Sequence, residues 1–80
     1  MPNSMHSQKY QIFREMLVDA RLKSGLTQME LAQKINKPQS YVSKYERGER
    51  RLDFTEFIEV VIAFKMNINV FIERYQKSIG

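Results

Sequence analysis

Five side chains between Pro38 and Gly48 have the chemistry and the spacing of a binding surface. They recur at i, i+1, i+4, i+5 and i+8, which places them on one face of a helix: Gln39, Ser40, Ser43, Lys44 and Arg47. Their amide, hydroxyl and cationic groups suit hydrogen bonds with the base edges and phosphates of a nucleic acid. The face has no apolar or aromatic anchor, although a protein-binding surface would be expected to show one.

Catalytic chemistry has little support in this sequence. The chain has no cysteine and a single histidine, His6, so it lacks a thiol nucleophile and the ligands of a thiolate or histidine metal site. It also lacks a glycine-rich phosphate loop and a carboxylate pair in a suitable context. Ser40 and Ser43 would need a neighbouring base to act as nucleophiles, and none is evident. We therefore expect no enzyme activity, no cofactor, no metal and no small-molecule ligand.

The polar face lies on the second of two short predicted helices. Thr27 and Glu30 form a capping box at the start of the first helix. This helix must end near Asn36, because asparagine tolerates left-handed backbone angles and Pro38 restricts the residue before it. Pro38 is expected as the first residue of the second helix, which Gly48 ends. Two short helices joined by a turn of about four residues form a helix-turn-helix motif.

Three further helices are predicted around this motif. One runs from about Gln8 to Ser24, with Tyr10, Phe13, Leu17 and Ala20 as its inner stripe. Another follows the capping box of Asp53 and Glu56, and the last follows the cap Asn67. The later helices are expected to contribute mainly core residues at these positions: Val42, Tyr45, Phe57, Ile58, Val61, Ile62, Phe64 and Phe71.

Length, charge and hydropathy describe a small basic domain. We expect a flexible tail over residues 1–7 and one all-α, five-helix domain over residues 8–80. The net charge is +4. Residues 37–51 carry five Lys/Arg against two Glu, whereas residues 53–80 carry three against four acidic residues. Positive charge concentrated on the motif suits a polyanionic partner. No apolar run could span a membrane and no signal peptide is evident, so we expect a soluble cytoplasmic protein.

The motif is similar to a known family. The runs GLTQMELAQKI and PQSYVSKYERGER resemble the Xre-type branch of the lambda-repressor-like DNA-binding proteins, and the resemblance extends from about Tyr10 to Ile79. The chain departs from the usual pattern at Asn36, Lys37 and Lys65. The resemblance implies a lambda-repressor-like fold and a transcriptional regulator, most simply a repressor, that binds a specific sequence of double-stranded DNA.

Base readout is expected from the start of the second motif helix, the recognition helix. Gln39 and Ser40 would point at base edges, where glutamine favours the N6/N7 edge of adenine and serine is permissive. Lys44, one turn further along, can donate to O6 and N7 of guanine. Tyr41 would stack on a thymine methyl group or reach a phosphate; packing at the rim of the core is an equally good interpretation.

Phosphate contacts are expected on both sides of the recognition helix. The resemblance implies that Gln28 contacts a phosphate and orients Gln39, and the N-terminus of a helix favours a phosphate in any case. Ser43 would contact a phosphate or face solvent. The basic side chains at the end of the recognition helix and in the next loop would form a phosphate clamp: Arg47, Arg50 and Arg51.

Two contacts would support this surface. The resemblance implies an ion pair between Arg21 and Glu46 that braces the first helix against the recognition helix. Since one small domain makes few base contacts, we expect a homodimer on an inverted-repeat operator. The last helix has more apolar residues than one side of a small core can easily bury. Four of them are candidates for the dimer contact, with an intramolecular core as the alternative: Val70, Ile72, Tyr75 and Ile79.

The biological role stays open at this point. The size resembles the controller proteins of restriction–modification systems, and it also resembles small antitoxins that autoregulate their operons. The sequence does not separate the two. A rival of another class is a protein-interaction module that keeps the fold without binding DNA, which the polar and cationic recognition face disfavours. No second domain is evident, so we expect no sensor module.

Overall fold

The computed structural model describes residues 7–80, and within this range it contains helices and no strand. The five-helix, all-α prediction is confirmed. In chain order the helices are α1 Gln8–Lys23, α2 Gln28–Lys34, α3 Gln39–Arg47, α4 Phe54–Ala63 and α5 Ile68–Ile79. The predicted tail over residues 1–7 and its histidine, His6, lie outside the described residues, except for Ser7.

Thr27, Asp53 and Asn67 cap their helices as the sequence predicts, and Ser7 is a further cap. Ser7 Oγ accepts a hydrogen bond from the Tyr10 amide at 3.1 Å and begins α1. The Thr27 and Glu30 capping box is complete, with bonds of 3.0 and 2.9 Å. One boundary prediction is wrong, because Pro38 is the N-cap of α3 rather than its first helical residue. Its backbone is extended (φ −70°, ψ 156°), and Gln39 is the first helical residue.

The turns depend on residues in the left-handed region. Gly25 and Gly48 have φ values of 76° and 82° and follow or end their helices as expected. Asn36 and Lys65 also have positive φ, at 59° and 57°, although neither is glycine. Gly48 has a second constraint, since a Cβ atom there would lie 3.1 Å from the Nε of Arg14. The end of α3 therefore favours glycine for its backbone angle, and a Cβ atom there would also require the Arg14 side chain to shift.

The core lies between all five helices. Val42 and Tyr45 of α3 are buried as predicted, and Phe71 of α5 is buried with them. The prediction fails at Ile62, which is 66% exposed; Val60 occupies the buried position on α4 instead. Four rings form an aromatic cluster where α1, α4 and α5 meet: Phe13, Phe57, Phe71 and Tyr75.

The packing order places the recognition helix on the outside of the domain. α3 packs on α2 and α1, whereas α5 packs on α1 and α4. α3 and α5 thus occupy separate parts of the domain, and each keeps one face toward solvent. Within residues 7–80, no helix is long and apolar enough to cross a membrane.

Candidate nucleic-acid interface

The outer face of α3 is polar and open. Gln39, Ser40, Lys44 and Arg47 are exposed, and Ser43 is partly exposed. These five side chains therefore share a surface, as their spacing predicts. The helix itself is held by Val42 and Tyr45, both at most 1% exposed, on the opposite side.

Tyr41 does not share this surface. Its side chain belongs to the core and is 8% exposed. The guanidinium of Arg50 lies 4.5 Å from the centre of its ring, and the ammonium of Lys37 lies 5.5 Å from it. Burial, followed by the negative charge of Glu56, raises the pKa of Tyr41 to about 12. This placement favours the packing interpretation of Tyr41 over a base contact.

Arg21 and Glu46 form an ion pair behind the recognition helix. Arg21 Nε lies 2.7 Å and Arg21 Nη2 lies 3.2 Å from the two carboxylate oxygens of Glu46. Each residue is only 9% exposed. Arg21 also donates to the carbonyl oxygen of Leu26 at 2.8 Å, so the guanidinium ties α1 to α3 and to the turn before α2.

Arg14, which the sequence analysis missed, is a second arginine of α1 that contacts the end of α3. Its Nη1 donates to the carbonyl oxygen of Glu46 at 2.7 Å, and its side chain lies against Gly48. Arg14 and Arg21 are seven residues apart, which places them on one face of α1 two turns from each other. That spacing was the available signal. Together the two arginines fix the C-terminal end of α3.

A hydrogen-bond chain connects this buried pair to the recognition face. Gln28 Nε2 donates to Glu46 Oε1 at 2.9 Å, and Gln39 Nε2 lies 3.5 Å from Gln28 Oε1. The first side chain of α3 is thereby linked through Gln28 to the ion pair. The structure places Gln28 next to Gln39, as the resemblance implies, and Gln28 is partly exposed.

The guanidinium of Arg47 is hydrogen-bonded to neighbouring side chains. Its Nε and Nη2 donate to the two carboxylate oxygens of Glu49 at 2.9 and 3.1 Å, and its Nη1 donates to Ser43 Oγ. Both members of the ion pair are more than half exposed. The hydrogen bonds with Arg47 lower the pKa of the Glu49 carboxyl, so this carboxylate is ionised at neutral pH.

Arg50 is bound more firmly. Its Nη1 and Nη2 donate to the carboxylate of Glu56 at 3.1 and 2.7 Å, and Nη1 also donates to the carbonyl oxygen of Arg51. These bonds are the first cause of a Glu56 pKa lowered to about 2. Glu56 simultaneously accepts from the Asp53 amide at 2.9 Å. Arg50 therefore completes the cap of α4.

Lys44 and Arg51 are the other predicted contacts near α3. Lys44 is exposed, and in the part of the chain that the structure describes its ammonium group takes part in no hydrogen bond or ion pair. The guanidinium of Arg51 lies 4.7 Å from the centre of the Tyr10 ring, and the residue is exposed. Lys44 is therefore a cation already available on the polar face.

A separate apolar surface lies on α4 and α5. Val70 and Ile72 are each 38% exposed, whereas Tyr75 and Ile79 are partly buried. The ring of Tyr75 packs edge-to-face against Phe13, so Tyr75 contributes to the core as well. Phe54, which the sequence analysis missed, is 67% exposed and lines a groove with Ile72 and Tyr75. Its spacing from Phe57 fits a core position, so no sequence pattern indicates this exposure.

The described residues contain no group of three or more acidic, histidine or cysteine side chains that could hold a metal ion. The open grooves of the structure are lined by core and surface side chains. The polar face of α3 and the apolar face of α5 are therefore the two surfaces that invite a functional interpretation.

The comparisons with known proteins agree with this geometry. A helix-turn-helix family model matches residues 17–71, which include α2, α3 and α4, the C-terminal part of α1 and the start of α5. The chain belongs to the Xre-type helix-turn-helix family. An XRE-family like protein from Pseudomonas syringae pv. tomato str. DC3000 is 34% identical, with a TM-score of 0.87 over 96% of this chain and 94% of that one. No curated protein matches the chain significantly.

A restriction–modification controller protein is also among the solved structures that are similar to this chain. The restriction–modification controller protein C.Esp1396I is 28% identical, with a TM-score of 0.85 over 92% of this chain and 97% of that one. A second structure is the C.Esp1396I tetramer in complex with its natural 35 base-pair operator, with a TM-score of 0.83 at 28% identity.

Proposed function

We propose that this chain is a homodimeric transcriptional regulator that binds a specific inverted repeat in double-stranded DNA, most simply as a repressor. Residues 8–80 act as one helix-turn-helix domain in the cytoplasm, without enzyme activity, cofactor or metal. The observation that carries the proposal is the exposed polar face of α3, which is linked from behind through Gln28 to the buried pair of Arg21 and Glu46. A rigid helix with such a face suits the major groove.

Three side chains read bases in this proposal. Gln39 matches the N6/N7 edge of adenine, and Gln28, whose Oε1 lies 3.5 Å from Gln39 Nε2, is assigned the role of orienting it. Ser40 follows Gln39, and its hydroxyl can donate to or accept from a base edge, so it is permissive. Lys44 is one turn further along and donates to O6 and N7 of guanine. Tyr41 supports the helix from the core rather than touching a base.

Phosphate contacts surround these three residues. Gln28 lies at the start of α2, where free backbone amides add to its amide group. Ser43, Arg47 and Arg51 are the other contacts that we assign to the backbone. Arg50 has a smaller part, because a phosphate would have to replace two hydrogen bonds to Glu56 and the stacking on Tyr41.

The dimer forms through the apolar face of α5 together with the start of α4. Ile72, Tyr75 and Ile79 meet their copies across a two-fold axis, and Phe54 extends the contact. Val70, the fourth candidate, is two residues from Ile72 and lies on the other side of the helix, so it contributes less. This face does not include residues of α3, so a dimer leaves both recognition helices open. Of the two biological roles, the restriction–modification controller is favoured by the similarity to C.Esp1396I over nearly its whole length.

The decisive experiment compares Lys44→Ala with Lys77→Ala on DNA. An operator is first selected from random double-stranded DNA, and we expect an inverted repeat with half-site centres about one helical turn apart. Lys44→Ala should cost about 1–3 kcal/mol per half-site on this operator and relax the preference at one base pair. Lys77 of α5 is also an exposed lysine, and its variant should bind like wild type. Equal weakening on operator and random DNA would assign Lys44 to the backbone.

Salt dependence tests the proposal independently of any variant. The three arginines after Tyr45 give six cations in a dimer, which sets a steepest slope of roughly −5 for log K against log salt concentration. Fluorescence anisotropy with a labelled duplex at several salt concentrations measures this slope. No detectable binding, or a slope near zero, would overturn the DNA-binding proposal and leave the protein-interaction module as the better reading.

A further inference from the structure

The end of the recognition helix has an acidic residue where a DNA-facing surface would gain from a cation or a neutral side chain. Glu49 follows Gly48 directly and is exposed. The left-handed backbone of Gly48 (φ 82°) turns the chain so that Glu49 folds back onto α3. The Glu49 amide donates to the carbonyl oxygen of Lys44 at 2.8 Å, which fixes the backbone of this residue to the helix. Its position is therefore set by the helix cap.

The carboxylate of Glu49 takes the part of Arg47 that matches a phosphate best. It accepts from Nε and Nη2, the two parallel donors with which a guanidinium binds two oxygens at once. Ser43 accepts from the remaining terminal nitrogen, Nη1. A phosphate that approaches Arg47 in the same two-pronged way must first displace Glu49.

We infer that Glu49 is an internal competitor of the DNA phosphate for Arg47, and that it limits the affinity of this protein for DNA of any sequence. The inference rests on the proposed DNA binding. Because the pair is exposed, it exchanges for a phosphate without a large penalty. After the exchange, however, the Glu49 carboxylate stays near the phosphate and repels it. Arg47 therefore contributes less to binding than an unpaired arginine would.

When the phosphate contacts are weaker, the base contacts supply a larger share of the binding free energy on the operator. Phosphate contacts act on every sequence alike, whereas Gln39, Ser40 and Lys44 act on the operator alone. Because Glu49 weakens operator and non-operator DNA by the same factor, it lowers the absolute affinity for both and leaves the ratio of the two affinities unchanged. Arg50 and Glu56 differ from this pair, since their contact also caps α4 and stacks on Tyr41.

The test measures binding to the selected operator and to a scrambled duplex for wild type, Glu49→Gln and Asp19→Asn. Asp19 is the matched control, because it forms an exposed ion pair with Lys23 and lines a groove of α1 and α5 away from α3. Glu49→Gln should bind both duplexes about fivefold more tightly per subunit, the value for one unit charge near 4 Å in water. Its salt slope should steepen by about two per dimer. Asp19→Asn should match wild type in both measurements.

An Arg47→Ala background separates competition from a general change of charge. If Glu49 acts through Arg47, the gain from Glu49→Gln must be smaller in the Arg47→Ala protein than in wild type. A gain of the same size in both backgrounds, or no gain beyond that of Asp19→Asn, would overturn the inference while wild-type binding still supported the proposed function. Absence of DNA binding by wild type itself would overturn both. Glu49→Ala is a second variant, which should agree with Glu49→Gln.

Discussion

At Glu46 a single carboxylate serves both the stability of the domain and the order of its recognition face. One oxygen accepts from Arg21 Nε, and the other accepts from both Arg21 Nη2 and Gln28 Nε2. The backbone carbonyl of the same residue accepts from Arg14. A side chain that is 9% exposed can hold a charge only when it has partners of this kind.

Loss of this carboxylate should be costly. Glu46→Ala leaves the Arg21 guanidinium buried without its counter-charge, and we expect the free energy of unfolding to fall by roughly 2–4 kcal/mol. Urea unfolding followed by circular dichroism measures the change. Asp19→Ala breaks an exposed ion pair with Lys23 and serves as control, with an expected loss of no more than about 0.5 kcal/mol. A similar loss in both variants would show that the pair of Arg21 and Glu46 contributes no more to the free energy of unfolding than an exposed ion pair does.

The residue scale is also where prediction from sequence was weakest. Lys44 and Gln39 could be placed on one face by spacing alone, because helical periodicity is local. The carboxylate partners of Arg47 and Arg50 could not, since they depend on how the chain turns at Gly48 and how α4 approaches α3. The burial of Tyr41 has the same origin. Charge counts along a sequence do not distinguish a free cation from a paired one.

At the scale of elements, prediction from sequence succeeded because helix ends are specified by neighbouring residues. The capping boxes at Thr27 and Asp53 each need only a partner three residues later. Two of the three departures from the family's usual pattern, Asn36 and Lys65, have positive φ. The turn between α4 and α5 therefore adopts the conformation that glycine would favour, with a lysine in its place.

This turn offers a stabilising substitution. A lysine at a φ of 57° is strained, and Lys65→Gly should raise the free energy of unfolding by roughly 0.5–1 kcal/mol, after the entropic cost of glycine in the unfolded chain. Lys34→Gly is the control of opposite sign, because Lys34 lies in the last turn of α2 and glycine disfavours a helix by about 1 kcal/mol. Chemical denaturation of both variants measures the two changes. A destabilised Lys65→Gly protein would mean that the lysine side chain contributes more than its backbone costs.

At the scale of the whole molecule, the two faces have different chemistry and lie on different helices. The face of α3 is polar and cationic, whereas Ile72, Tyr75 and Ile79 form an apolar face on α5. Ile72 and Val70 are each 38% exposed, but Val70 lies on the other side of the buried Phe71. Sequence alone indicated a surplus of apolar residues on α5. It could not show which of them the core absorbs, because Tyr75 reaches the aromatic cluster only after α1 and α5 pack together.

The dimer proposal makes a direct prediction. Ile72→Glu places a charge in the apolar contact, so the protein should become monomeric at concentrations where wild type is a dimer, and operator binding should weaken at least about tenfold. Light scattering after size-exclusion chromatography gives the mass, and anisotropy gives the affinity. Leu22→Glu is the matched control, since Leu22 is 61% exposed on α1 and does not line the groove with Phe54. A dimeric Ile72→Glu protein would place the two-fold contact elsewhere.

The hydrogen-bond chain from Glu46 through Gln28 to Gln39 has a practical consequence for redesign of this protein. Its inner members are shared with the ion pair that holds the domain together, so they are poor positions for diversity. A combinatorial library aimed at new target sites should vary positions 39, 40 and 44 and keep Gln28 and Glu46 constant. Variants from such a library would differ in their preferred DNA sequence while sharing one folded scaffold. Selection would then act on DNA recognition and not on the stability of the fold.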